Sequence, residues 1–149
     1  MNKKLQQQIM EMREIEQDLR VRLAKPGKEL PNYLIYAIDI CHNYRLRQII
    51  NKFGYPTRKL IGKNGMKAFW LLVQHQDYDI SLQEDCLTYC DFDSQEKAFL
   101  TDRVLINKGK KQIYGTQFNF PIEDIKNVDK RRRQMNLESL KEYLRKCKR

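Results

Sequence analysis

Apolar side chains recur at steps of three and four through most of this chain, with polar residues between them. Ile9, Met12, Ile15, Leu19 and Leu23 form one such stripe and predict a helix over residues 3–24. The run Ala24-Lys25-Pro26-Gly27 stops it. A second helix is predicted from Pro31 to Phe53, with Leu34, Ala37, Ile38, Cys41, Ile49 and Phe53 inward and Gly54 just past its end. Pro56 excludes helix at Tyr55, and Thr57 is placed to cap the next segment. Residues 58–63 read as irregular. A third helix is predicted from Asn64, its cap, to Gln76, with Met66, Phe69, Trp70, Leu72 and Val73 facing the core. A fourth spans Ser81–Cys90, with Ser81 and Glu84 spaced as a capping box. Ser94 caps a fifth over Gln95–Leu105, with Ala98, Phe99, Val104 and Leu105 inward. Only near residues 111–120 does the period change. There Ile113 alternates with Gln112 and Tyr114, which predicts a short β-hairpin or extended pair. Two closing helices, Glu123–Met135 and Leu137–Lys146, complete the pattern, the last with a stripe of Leu137, Leu140, Tyr143 and Leu144. The expected fold is mainly α, one compact helical domain. Residues 1–28 form an N-terminal helix and linker, and 29–149 the helical domain with basic C-terminal helices.

Composition narrows this picture. With 149 residues and 41% hydrophobic content, the chain can bury a core of its own. No apolar run reaches membrane-spanning length. The opening MNKKLQQQIMEM lacks the apolar stretch and small-residue cleavage site of a secretory signal, so the expected location is the cytoplasm. The four cysteines, Cys41, Cys86, Cys90 and Cys147, include no C-x-x-C pair and read as buried free thiols in a reducing compartment. With only His42 and His75 to supply imidazoles, the expectation is no metal and no cofactor. The net charge is +10, and residues 126–149 carry KNVDKRRRQ and YLRKCKR. Those helices attract an anionic ligand or nucleic acid, or they form only a solvated face.

Several chemistries lack their signature. No serine or cysteine sits in a nucleophile elbow, no dinucleotide-binding fingerprint occurs, and Gly62-Lys63-Asn64-Gly65 lacks phosphate-loop spacing. Dense polar groups beside apolar ones occur instead in three stretches: AFWLLVQHQD at 68–77, FLTDRV at 99–104 and KKQIYGTQF at 110–118. His75 is the leading catalytic candidate. It falls in the last turn of a helix, where the dipole favours a cation, and Asp77 and Asp79 follow closely. A carboxylate on one ring nitrogen would fix the tautomer and leave the other nitrogen for acid/base work. The competing reading is a histidine satisfied by a carbonyl. Arg103 either neutralises a substrate anion or holds helices through an ion pair with Asp102, Asp77 or Asp39. Tyr114 either donates a proton or fills the core with its hydroxyl satisfied. Asp39 and Asn43 share a helix face and point into a cleft or form a surface pair. Gln74, Gln112, Thr116 and Gln117 offer directed hydrogen bonds to a ligand or to irregular backbone. Asp102 and Arg103, adjacent on a helix, diverge by about 100° and serve different neighbours. Gly115 allows a positive φ or a close backbone approach in the middle of this last stretch.

Asp39 with Asn43, FGYPT at 53–57, QHQD at 74–77, LTDRV at 100–104 and QIYGTQF at 112–118 follow one another in order. Together they resemble a family of uncharacterised bacterial proteins, a domain of unknown function. Its pattern runs D-x-x-N, G-[YW]-P-T, Q-H-x-D, L-T-D-R and Q-x-Y-G-T-Q. The resemblance covers roughly residues 35–140, with Tyr55 where the family often has Trp. It implies a shared fold and a shared site, and no mechanism. The expected catalytic set is His75, Asp77, Arg103 and Tyr114, lining one cleft. The expected substrate-binding set is Asp39, Asn43, Gln74, Asp102, Gln112, Thr116 and Gln117. The expected function is metal-independent hydrolase or transferase chemistry on a nucleotide, RNA or other anionic substrate, with His75 as general acid/base. The alternative is a non-catalytic protein that binds nucleic acid or a protein partner, of toxin, antitoxin or phage-defence type.

Overall fold

The computed structural model describes residues 1–22 and 32–147. The predicted stop at 24–27, Leu23, Pro31 and the last two basic residues lie outside them. The described residues are mainly helical and contain seven α-helices. They fall into two compact units, Met1–Phe92 and Asp93–Arg149, and each is described by itself.

The first unit holds α1 (Lys3–Gln17), a π-helical stretch at Asp18–Arg22, α2 (Asn32–Phe53), α3 (Arg58–Gln74) and α4 (Ile80–Tyr89). Its core is built by Leu5, Ile9 and Met12 of α1, Leu46 and Ile49 of α2, Ile61, Met66, Phe69, Leu72 and Val73 of α3, and Leu82 and Cys86 of α4. Phe92 closes this core beside Phe69, ring centres 6.3 Å apart. The inward stripe of α1 is Leu5, Ile9, Met12 and Glu16, whereas the predicted Ile15 is exposed. The stripe thus ends on a carboxylate, one helical step along from Met12. The first half of α2 is reversed relative to expectation. Asp39, His42 and Asn43 are buried, while Leu34, Ile40, Tyr33, Tyr36 and Tyr44 are exposed. Two of the four cysteines, Cys86 and Cys90, are buried; Cys41 and Cys147 are exposed.

Side-chain caps set the helix starts. Thr57 caps α3 by accepting from Leu60 N at 3.3 Å, as expected. Within α3 the backbone breaks at Gly62, φ 68°, a conformation that costs glycine little. The helix therefore begins before the predicted Asn64 and is interrupted where irregularity was predicted. The next two caps are aspartates upstream of the predicted serines. Asp79 accepts from Leu82 N at 3.1 Å, and Asp93 accepts from Glu96 N at 2.9 Å while Glu96 returns a bond to Asp93 N. A carboxylate also interacts with the helix N-terminal dipole, which a serine does not.

The second unit holds α5 (Ser94–Asn107), a 3₁₀ turn at Ile125–Asn127, α6 (Val128–Gln134) and α7 (Leu140–Cys147). Among the described residues no strand forms, so the expected hairpin near 111–120 is replaced by one isolated parallel bridge between Gln112 and Ile122. The reason is local. The Gln112 side chain donates to Gln117 O at 2.9 Å and Phe120 O at 2.7 Å, and its Oε1 accepts from Gln117 N at 2.9 Å. One amide side chain thereby satisfies backbone groups that a second strand would otherwise pair.

Gly115 sits at the tip of this loop with φ 69°. A Cβ there would lie 2.7 Å from Ile122 Cδ1 and 2.9 Å from Leu140 Cδ1. Gly115→Ala combines left-handed strain with overpacking and should cost roughly 1–3 kcal/mol. A denaturant midpoint unchanged from wild type would contradict this account of the loop.

Candidate functional site

The polar centre of the first unit is built where the end of α1 meets α2 and the end of α3. Glu16 is fully buried. Its Oε1 lies 2.5 Å from Nδ1 of His75, whose side chain keeps 21% exposure. His75 is the C-terminal cap residue of α3, so its ring is carried on a fixed helix end. Arg20, one turn beyond Glu16, pairs with Glu16 Oε1 and donates from one amino group to both carboxylate oxygens of Asp39, at 2.5 and 2.6 Å. The order His75, Glu16, Arg20, Asp39 is therefore a continuous chain in which one guanidinium lies between two carboxylates. Arg20 sits in a π-helical stretch, a geometry found often at functional sites.

Burial alone would push the Glu16 carboxyl up. The His75 contact outweighs it, with help from Gln17 and Arg20, and holds Glu16 at about 2 against an ordinary 4.5. Asp39 moves the other way, raised by burial despite Arg20. His42 lies in the same polar interior, and burial lowers its pKa against the pull of Glu16 and Asp39. Its Nδ1, the Gln74 Oε1 and the His75 Nδ1 are buried without hydrogen-bond geometry to a partner among the described residues, so the His75–Glu16 approach is a close charge contact.

A second network adjoins on α2. Asn43 donates to Asp79 Oδ2 at 2.7 Å, and Arg47 grips both oxygens of Asp79 at 2.6–2.9 Å. Tyr78 donates to the backbone carbonyl of Asp39 at 3.0 Å, and burial followed by the nearby Asp39 and Asp79 charges pushes its hydroxyl up to about 12. Asp39 and Asn43 share a face as predicted, yet each serves a different ion pair. Asp77 is exposed. The carboxylate placed on the His75 ring is that of Glu16, which is absent from the expected site set. The signal was its position on the α1 stripe, where a carboxylate among Leu5, Ile9 and Met12 must find a partner or remain costly to bury.

This ion chain sets an acid response. A carboxyl held below its ordinary value contributes stability that is complete above the unfolded-state pKa and is lost as pH falls through the folded one. Glu16 should therefore contribute up to about 3 kcal/mol above pH 4.5, disappearing toward pH 2. Asp39 acts with the opposite sign and makes the net slope shallower. Urea midpoints followed into this acid window should fall more steeply for wild type than for Glu16→Gln. Parallel curves would remove the His75 contact as the cause.

His75 and Asp77 belong to the first unit, Arg103 and Tyr114 to the second. In the second unit the predicted residues Asp102, Gln112, Thr116 and Gln117 gather around one loop. Asp102 has no exposed surface. It accepts from Ile113 N at 2.7 Å, Tyr114 N at 3.0 Å, Thr116 N at 2.9 Å and the Thr116 hydroxyl at 2.9 Å. The loop carbonyls are met from the other side. Arg131 Nε donates to Ile113 O at 2.9 Å, Arg132 to Tyr114 O at 2.7 Å, and the Tyr143 hydroxyl to Thr116 O at 2.7 Å. Arg103 donates to Gln117 Oε1 at 3.0 Å, so Asp102 and Arg103 do serve different neighbours. The Tyr114 hydroxyl is raised by burial and by Asp102, against Arg131. Arg132 is the largest fully buried side chain, its guanidinium 5.0 Å from the Tyr143 ring centre and lowered from its ordinary pKa by that burial. Two charges of the supposed C-terminal patch, Arg131 and Arg132, are thus spent inside the unit. Lys130 and Arg133 remain exposed.

Among the described residues these features define a mainly helical protein with a partly exposed imidazole against a buried carboxylate and a loop bonded from both sides within the second unit. The chain belongs to DUF6624, a family of unknown function, whose profile matches residues 3–148. No curated protein and no solved structure matches it. Among the described residues no helix is long and apolar enough to cross a membrane.

Proposed function

We propose that this is a cytoplasmic enzyme of hydrolase or transferase type, with His75 as general acid/base and Glu16 as its positioning residue. One observation carries the reading: a partly exposed imidazole rests its Nδ1 on a carboxylate whose side chain is 1% exposed. A proton on Nδ1, facing the Glu16 carboxylate, leaves Nε2 with the lone pair that takes a proton from substrate or water. Arg20 anchors Glu16 and ties it to Asp39. A guanidinium already bridges the two carboxylates, which supports chemistry independent of a metal. The reading rests on the first unit alone and does not require Arg103 or Tyr114. The substrate class carried over from the sequence is a nucleotide, RNA or other anionic compound. Beside a neutral His75 the chain sets two carboxylates against one guanidinium, so the anionic group must be held by cations outside the Glu16–Arg20–Asp39 chain.

A thermal-shift screen against nucleotides, RNA fragments, sugar phosphates and neutral sugars comes first, because a ligand selective for the folded state raises the melting temperature by mass action. A hit that is turned over by wild type and bound but not turned over by His75→Gln supports the proposal. A hit turned over equally by both proteins overturns it.

A further inference from the structure

The first unit also has a groove between α1 and α2 that shares no residue with the His75 cluster. Its cavity of about 650 Å³ is lined by Asn2, Lys4, Leu5 and Gln8 of the α1 side and by Arg45, Gln48, Ile49, Asn51, Lys52 and Phe53 of α2. Three cations and four amide side chains surround an apolar floor, and no carboxylate lines it. In a chain with 19 Asp and Glu, a groove of this size with none of them is selective for negative charge. Leu5 and Ile49, 3% and 2% exposed, make the floor rigid. Arg45 is oriented by a 2.7 Å bond to Gln48 Oε1.

Phe53 links this groove to a neighbour. It is exposed at the end of α2 and lines a second hollow of about 360 Å³ with Met1, Tyr55, Thr57, Lys59 and Leu60. That hollow again is lined by a cation and no carboxylate, with the Asp85 carboxylate bonded to the Tyr55 hydroxyl beside it. The Tyr55 ring is backed by Tyr89, centres 4.8 Å apart. Lys52 lies 5.3 Å from the Phe53 ring centre. Cations and aromatic faces therefore alternate along one continuous track, Lys4 and Arg45, then Lys52 with Phe53, then Tyr55 with Lys59. An acidic peptide needs the cations alone. The exposed Phe53 ring and the half-buried Tyr55 ring between them match a ligand with flat bases spaced along a phosphate backbone.

We infer that the α1–α2 groove is a binding site for single-stranded nucleic acid, its phosphates on Lys4, Arg45, Lys52 and Lys59 and its bases against Phe53 and Tyr55. This does not depend on the proposed acid/base role of His75, and it differs from binding through the basic C-terminal helices. The test is fluorescence anisotropy of the full chain with a labelled oligouridine of roughly a dozen nucleotides, a length within the site sizes of single-strand binders. Phe53→Ala should weaken binding about tenfold through lost stacking. Arg45→Ala and Lys52→Ala should each lower the slope of log affinity against log salt by about 0.7, one phosphate contact apiece. Lys130→Ala with Arg133→Ala should leave affinity unchanged. A mononucleotide that competes as well as the oligomer would confine the site to one base and its phosphate. That outcome overturns the extended track. Oligoglutamate binding as tightly as oligouridine, no effect of Phe53→Ala in a protein that melts like wild type, or loss confined to the Lys130/Arg133 variant would each overturn the inference. So would absence of binding at low salt.

Discussion

Asp102→Ala should destabilise the second unit by about 3–5 kcal/mol. Three loop N–H groups and one hydroxyl converge on this carboxylate, which has no exposed surface. Alanine removes the acceptor and leaves the donors buried, each at a cost of roughly 1–3 kcal/mol less whatever water enters. Asp102→Asn keeps one oxygen but turns an NH₂ toward N–H donors, so it should recover only part of the loss. Thr116→Val removes the hydroxyl bond alone and should cost about 1 kcal/mol. Hydrogen exchange gives the sharper readout. The amides of Ile113, Tyr114 and Thr116 should lose protection together in Asp102→Ala. An Asp102→Ala protein with wild-type stability and unchanged exchange would mean that the loop does not depend on this carboxylate.

His75→Gln should reduce turnover on the substrate found by screening by about a hundredfold to ten-thousandfold, the usual range for a positioned acid/base group. Glutamine keeps polar volume and cannot shuttle the proton. Glu16→Gln should cost less, because the imidazole survives and only its tautomer and orientation loosen. It should also alter the pH–rate profile, which a purely structural loss would leave in shape. Rescue by Glu16→Asp would be partial, since the shorter side chain draws back from the ring. If His75→Gln lowers the melting temperature sharply and turnover per folded molecule is unchanged, the Glu16–His75 contact is a strut between α1 and α3 and nothing more.

How much of this was legible in the sequence depended on distance along the chain. The helices were visible because their signals are local: the three-and-four spacing of Ile9 and Met12, the break at Pro56, Gly54 past the end of α2. The caps were misplaced by one or two residues at Ser81 and Ser94, because an aspartate stands just upstream of each and fits the same role. The first half of α2 misled the pattern altogether. Leu34, Ala37 and Cys41 look like core and are exposed, yet Asp39, His42 and Asn43 turn inward because Arg20 and Asp79 are there to receive two of them. Nothing within α2 announces Arg20. The 112–117 stretch was recognised as unusual, but its partners Asp102, Arg132 and Tyr143 lie 11 to 27 residues away. A long-range donor or acceptor leaves no periodic trace. In the family pattern the first pair is spaced more closely than Asp39 and Asn43, which three residues separate here.

The loop at 112–117 also constrains the order in which its unit can assemble. The N–H groups of Ile113, Tyr114 and Thr116 are received by Asp102 of α5, which precedes them, and the carbonyls of the same three residues by Arg131, Arg132 and Tyr143 of α6 and α7, which come after. The loop's bonding is complete only when both sides are present. An intermediate with only α5 docked would carry unpaired carbonyls, and one with only the C-terminal helices docked would carry unpaired amides. Each lacks bonds that the finished structure has, so completing the loop couples α5 to the C-terminal helices. Closing the chain segments between these helices is an entropic cost met before any of the bonds can form. The buried Asp102 and Arg132 thereby act on cooperativity as much as on stability, since they make the folding of this unit depend on its final helix.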